Sequence, residues 1–328
     1  MQPHENACRA RGLDQLAPLI QSRDMASNPN WLSLWLIGEP TRVGGVAPYR
    51  QIPTLGWRGR ALWREQPMPD GPSDALTKRV DNCLQLEVEM QRETLSYYAD
   101  GLTMKGELFF EPTGGTQAAV LVYPEAYGLN KHALTRAERL AGLGYVALAC
   151  DLHGEARVVE DLGVSIKMLD ALYADPAKTR ARASGALRVL AARPEVDATR
   201  IGTIGFCFGG TMSLELARSG ADIKAVVGFH SGLATVAPKT DARAIKARIL
   251  VCIGGDDPFI PLKQRAEFEA EMRDAGVDWQ MHVYGNTVHS FTNPTAVNAH
   301  RPDAVRYSPE ADRRSWKSMQ DLFAEAFA

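Results

Sequence analysis

The sequence predicts an α/β fold, with a mostly parallel central sheet and helices on both faces. From about residue 90 onward, strand-like and helix-like runs alternate, the pattern of a chain that repeatedly crosses over one sheet. The strand-like runs are apolar at nearly every position, as strands covered on both sides must be. With 328 residues, 45% of them hydrophobic and 23% charged, the chain can build one large core.

Residues 1–89 stand apart from this pattern. They carry four of the six tryptophans (Trp31, Trp35, Trp57, Trp63) and a loop-like run, REQPMPDGPSD, at 64–74, with no sustained period of 2 or 3.6. The stretch NWLSLWLIG at 30–38 reads as a short buried helix or strand. Residues 1–89 are expected to be an N-terminal extension of unknown role: a small lid or docking arm, a poorly ordered extension, or residues upstream of a true start at Met90.

The regular domain is expected at 90–328. Runs at 94–99 and 103–110 flank Asp100-Gly101, a turn signal, and read as an opening hairpin. AAVLVY (118–123), YVALAC (145–150), RIGTIGF (200–206), KAVVGFH (224–230), ARILVCIGG (247–255) and WQMHVY (279–284) read as the remaining strands. Helical patterns lie at 133–144, 176–194, 210–220, 262–276 and 310–328, and the segment 152–175 reads as lid-like.

Composition narrows the partners. A formal net charge of -2 shows no basic bias toward nucleic acid or an anionic membrane, so a small molecule is the expected partner. No uninterrupted apolar run approaches the roughly 20 residues of a membrane span, and the N-terminus does not read as a secretory signal. Cys8, Cys83, Cys150, Cys207 and Cys252 are scattered without a CxxC pair, which fits a reducing, cytoplasmic setting. The glycine pairs at 44–45, 114–115 and 254–255 match no nucleotide-binding loop, so no cofactor is expected. Cys150-Asp151-Leu152-His153 lacks a second pair of ligands and does not read as a metal site. With a large core and no heptad or swapped arm, a monomer is expected.

Ligand chemistry in such a fold gathers beyond the carboxyl ends of the strands. There, Gly205-Phe206-Cys207-Phe208-Gly209-Gly210 places a cysteine between glycines where a strand meets a helix. This is the spacing of a nucleophile elbow, a turn that strains its central residue and needs small neighbours. A small buried apolar residue is the other reading of Cys207. In elbow folds the nucleophile is followed along the chain by an acid and then a histidine. Asp256-Asp257 follows the strand at 247–255, and His289 follows the strand at 279–284. His289 would move the proton and an aspartate would orient it, and spacing alone leaves both aspartates eligible. His153 and His230 also border the strand ends, whereas His132, His282 and His300 sit in a helix, a strand and a late loop.

With YPEAYGLN at 123–130, GFCFGG at 205–210, GGDDPFIP at 254–261 and HSFTNP at 289–294, the chain resembles the dienelactone hydrolase family of α/β-hydrolases over about 90–328. The resemblance implies an α/β-hydrolase fold and cleavage of a lactone or small carboxylic ester by Cys207, His289 and Asp257. It implies that Glu125 meets and activates the thiol, and that the backbone amides of Phe208 and Ala126 form the oxyanion hole. Tyr127 and Arg157 are candidate substrate-binding residues. Family members that cleave the charged dienelactone carry an arginine soon after the catalytic histidine, where this chain has Thr292 and Asn293. A broader esterase or thioesterase, or a non-catalytic ligand-binding relative, are the alternative readings.

Overall fold

The computed structural model describes residues 89–298 and 301–328. The expectations for residues 1–88, and for His300, lie outside the described residues. From Gln91 the elements run β1 (Gln91–Ala99), β2 (Leu102–Phe110), β3 (Gln117–Tyr123), α1 (Lys131–Ala141), β4 (Val146–Ala149), α2 (Leu162–Tyr173), α3 (Pro176–Ala191) and β5 (Val196–Phe206). They continue with α4 (Phe208–Arg218), β6 (Ala225–Phe229), β7 (Arg248–Gly254), α5 (Leu262–Ala275), β8 (Trp279–Tyr284) and α6 (Pro309–Ala326).

The strands form one sheet in the order β1-β2-β4-β3-β5-β6-β7-β8. β1 pairs antiparallel with β2 around the predicted Asp100-Gly101 turn, and β2 pairs antiparallel with β4. Every pairing from β4 to β8 is parallel. The expected fold class is therefore the observed one.

The unbroken apolar runs have a direct physical reason. Side chains alternate between faces with a period of 2, and β3 sends Ala119, Leu121 and Tyr123 into one core while Ala118, Val120 and Val122 enter the other. The first core is completed by Leu169 of α2, Ala183 of α3, Met212 of α4 and Phe268 of α5. Ala137 and Leu140 of α1, with Trp316 and Phe323 of α6, complete the second.

Three expectations need correction. β8 is only partly buried, because it closes the sheet edge and has one neighbour instead of two. β5 begins at Val196, four residues before the apolar run. The lid-like segment contains a helix, α2, started by Asp161, whose side chain accepts the Val164 amide, and docked through Ile166, Leu169 and Leu172. No helix among the described residues is long and apolar enough to cross a membrane.

Five neighbouring strands each end at a residue with chemistry. In sheet order, Glu125 follows β3, Cys207 follows β5, His230 follows β6, Asp257 follows β7 and His289 follows β8.

Candidate active site

Cys207 joins β5 to α4 with φ 53 and ψ -119, a conformation an L residue adopts only when its surroundings impose it. The imposing contacts are glycine contacts. A Cβ on Gly205 would lie 2.1 Å from the Gly209 carbonyl oxygen, and one on Gly209 would lie 2.2 Å from the Tyr123 oxygen and 2.5 Å from the Pro124 oxygen. Gly210 is equally constrained by Ser231, whose Oγ would lie 1.6 Å from such a Cβ. The elbow is thereby pressed onto the end of β3, where Glu125 and Ala126 begin the next loop. Phe208 is the first residue of α4, so its amide is among those a helix leaves without an internal acceptor.

The histidine and acid meet. His289 Nδ1 lies 2.8 Å from Asp257 Oδ2, and the Phe259 amide donates to the other carboxylate oxygen at 2.9 Å. Asp257 is buried while Asp256 is exposed, which separates two residues that spacing left equal. Burial would lower the His289 pKa, but Asp257, through its charge and its hydrogen bond, and then Cys207 raise it well above the ordinary value. Cys207 itself is buried, 7% exposed.

Glu125 is placed differently from the expectation. Asn293 Nδ2 donates to its Oε2 at 2.7 Å, and His132 Nδ1 lies 3.5 Å from the same oxygen. Its Oε1 is buried without a hydrogen-bond partner, so the carboxylate makes no hydrogen bond to the thiol. Burial pushes its pKa up, yet the His132 ring and its hydrogen bond, then His230 and Asn293, outweigh this and bring it down to about 2. Neither His132 nor Asn293 was singled out as a partner of Glu125 in the sequence, because Asn293 lies 168 positions away along the chain.

The loop after β3 is fixed from outside. The Ala126 carbonyl lies 2.8 Å from His153 Nε2 and accepts the Ser165 hydroxyl of α2 at 2.7 Å. A carbonyl only accepts, so His153 carries its proton on Nε2. Asp151 accepts the amides of Lys105, His153, Gly154 and Ala156. Tyr127 is half-buried, and its phenol pKa is raised first by burial and then by Glu125 and Cys207. Arg157 is exposed, beside Val158, which bridges to Gly128.

The family model for the dienelactone hydrolase family matches residues 106–327. The chain belongs to that family. A Bradyrhizobium protein named a probable 2-oxo-3-(5-oxofuran-2-ylidene)propanoate lactonase is 32% identical over 218 residues, covering 62% of this chain and 82% of the relative. Among solved structures, one named m3DLH is 47% identical with a TM-score of 0.70, covering 73% of this chain and 99% of its own. The dienelactone hydrolase-like promiscuous phosphotriesterase P91, from metagenomic libraries, is 42% identical with a TM-score of 0.69 and the same coverage of 73% and 99%. Membership makes this chain a hydrolase of the ester- and lactone-cleaving class and agrees with the α/β-hydrolase architecture of its sheet.

Proposed function

We propose that this dienelactone hydrolase relative cleaves a lactone or small carboxylic ester through a Cys207-His289-Asp257 triad and an acyl-thioester intermediate. The observation that carries the reading is the buried 2.8 Å contact of His289 Nδ1 with Asp257 beside the strained Cys207 elbow: His289 packs at 5.0 Å on His230, whose Nδ1 accepts the Cys207 amide. His289 takes the thiol proton, and the sulfur attacks the carbonyl carbon while the carbonyl electron pair moves onto oxygen. The amides of Phe208 and Ala126 are the donors assigned to that oxyanion. Collapse breaks the carbon–oxygen bond, and the leaving alkoxide takes the proton from His289. Water then gives a proton to His289 and attacks the thioester, and the sulfur departs as thiolate and is reprotonated. Asp257 stabilises the imidazolium in both halves. The chemistry calls for no metal or organic cofactor.

A broader esterase is the second reading, and one observation favours it. Arg136, which donates to the His132 ring beside Glu125, is committed to Asp312, the Thr292 carbonyl and His132, and Arg157 is exposed. A substrate carboxylate would meet Glu125 rather than an uncommitted buried cation, which suits a neutral ester. The free thiols Cys150, Cys207 and Cys252 are compatible with a reducing, cytoplasmic setting. The test is turnover of neutral aryl esters, lactones and carboxylate-bearing lactones, with acid-quenched mass spectrometry for an acyl adduct on Cys207. Undiminished turnover by Cys207→Ala would reject the thiol mechanism.

A further inference from the structure

His230 is the buried imidazole that the proposed chemistry leaves unused. It follows β6, is 0% exposed and holds φ 42, and its two ring nitrogens face different partners. The Cys207 backbone N–H is shared between the Phe229 carbonyl at 3.0 Å and His230 Nδ1 at 3.2 Å. An amide can only donate, so Nδ1 must present its lone pair. Nε2 lies 2.8 Å from Thr292 Oγ1. With Nδ1 unprotonated, the neutral ring carries its proton on Nε2 and donates to the Thr292 hydroxyl.

Thr292 lies three residues beyond His289 in the same loop, and its carbonyl accepts from Arg136, which α6 holds through Asp312. One ring therefore connects the turn that carries the sulfur to the loop that carries the general base. The connection exists only in the neutral form, because a proton on Nδ1 would turn the acceptor into a donor facing a donor.

The surroundings favour that form. His289 packs edge-to-face on His230 at 5.0 Å, and Phe291 does so at 5.2 Å. The charged or titratable groups facing the ring are Cys207 from the elbow, His289 from its own loop, Glu125 after β3, and His132 and Arg136 from α1. Burial, then His289, His132 and Arg136, lower the His230 pKa well below its ordinary value against the opposing pull of Glu125. When His289 becomes imidazolium during turnover, a neutral neighbour adds no repulsion at that distance.

We propose that His230 is a positioning residue of the reaction, a neutral Nε2–H imidazole that clamps the Cys207 elbow to the His289 loop. The proposal rests on the thiol reading above. Its test uses the full chain. Thr292→Val keeps side-chain volume and removes only the acceptor of the His230 proton. His230→Asn keeps an acceptor near Nδ1, suits a positive φ, and cannot span to Thr292.

Each variant is expected to lose about tenfold in kcat with KM changed less than about threefold, and the double variant is expected to be no worse than the poorer single one. Long-range proton–nitrogen NMR of the wild type at neutral pH should show His230 beside His153 as a neutral Nε2–H tautomer, and the His230 signature alone should weaken in Thr292→Val. A Thr292→Val protein with lowered melting temperature but full kcat would overturn the clamp, as would finding His230 in the opposite tautomer or charged at neutral pH. If His230→Asn does not fold, Thr292→Val and the wild-type spectrum decide. Activity surviving in Cys207→Ala would reject the thiol reading. Loss of activity in Cys207→Ala together with full kcat in Thr292→Val would reject the clamp alone.

Discussion

Gly209→Ala should disable the enzyme through geometry alone, because the added methyl meets backbone on both counts. Its Cβ would lie 2.2 Å from the Tyr123 oxygen and 2.5 Å from the Pro124 oxygen, where ordinary contact begins near 3.4 Å. Relief requires the start of α4 to part from the end of β3 by about 1 Å. Those are the two segments that supply the Phe208 and Ala126 amides, and a misplacement of about 1 Å can cost on the order of 10²-fold in rate. Overpacking should also destabilise the fold by about 1–3 kcal/mol. Gly210→Ala provides the contrast, since its Cβ meets the Ser231 side chain at 1.6 Å and 2.5 Å. Ser231→Gly removes both atoms, so the Gly210→Ala/Ser231→Gly double variant should recover most of the lost activity, whereas no side-chain change should rescue Gly209→Ala. The assay is kcat/KM on an aryl ester beside thermal unfolding. A Gly209→Ala enzyme within twofold of wild type, with unchanged melting temperature, would refute the argument.

Asp257→Asn should lower kcat by roughly 10³–10⁴-fold with little change in KM, because an amide facing Nδ1 favours the wrong His289 tautomer; steady-state kinetics check it. Glu125 has its folded pKa at about 2, below the ordinary 4.5, so it stabilises the fold above pH 4.5 and that contribution is withdrawn as pH falls toward 2. The shift corresponds to about 3 kcal/mol, and urea unfolding of Glu125→Gln between pH 5 and 2.5 should show a flatter decline than wild type. Ser165→Ala leaves the Ala126 carbonyl with His153 alone, and should cost about 1 kcal/mol of stability and a several-fold drop in kcat/KM; equal kinetics with and without the hydroxyl would show that α2 does not position the Ala126 amide for the proposed chemistry.

The fold was legible where the sequence pattern reported local physics. Apolar residues at every position of β3 meant two covered faces, and the structure distributes them alternately between two cores. The same rule overreached at β8, since strand composition does not say which strand lies at the sheet edge. α2 was hidden by its short apolar stripe, although Asp161 and the spacing of Ile166, Leu169 and Leu172 are a cap and a face in retrospect. The elbow was legible because its glycines are neighbours in sequence. Spacing left Asp256 and Asp257 equal and only the family resemblance pointed to Asp257, because the burial and the His289 contact that separate them are not local patterns. The partners of Glu125 come from α1 and from the loop after β8, and no local pattern announces such contacts.

Charge at the site is governed by donors that cannot reverse. Arg136 Nε donates to His132 Nε2 at 3.3 Å, and a guanidinium never accepts, so a neutral His132 carries its proton on Nδ1, facing Glu125. The Cys207 amide imposes the opposite tautomer on His230 by the same logic. His289, paired with Asp257, is the ring that the proposed chemistry charges during turnover. Glu125 then contributes the standing negative charge on the β3 side of the site, and the Tyr127 hydroxyl lies within its field. An acyl group passing that side loses nothing by being neutral, while a carboxylate there must bring its own cation or gain more elsewhere than Glu125 costs it.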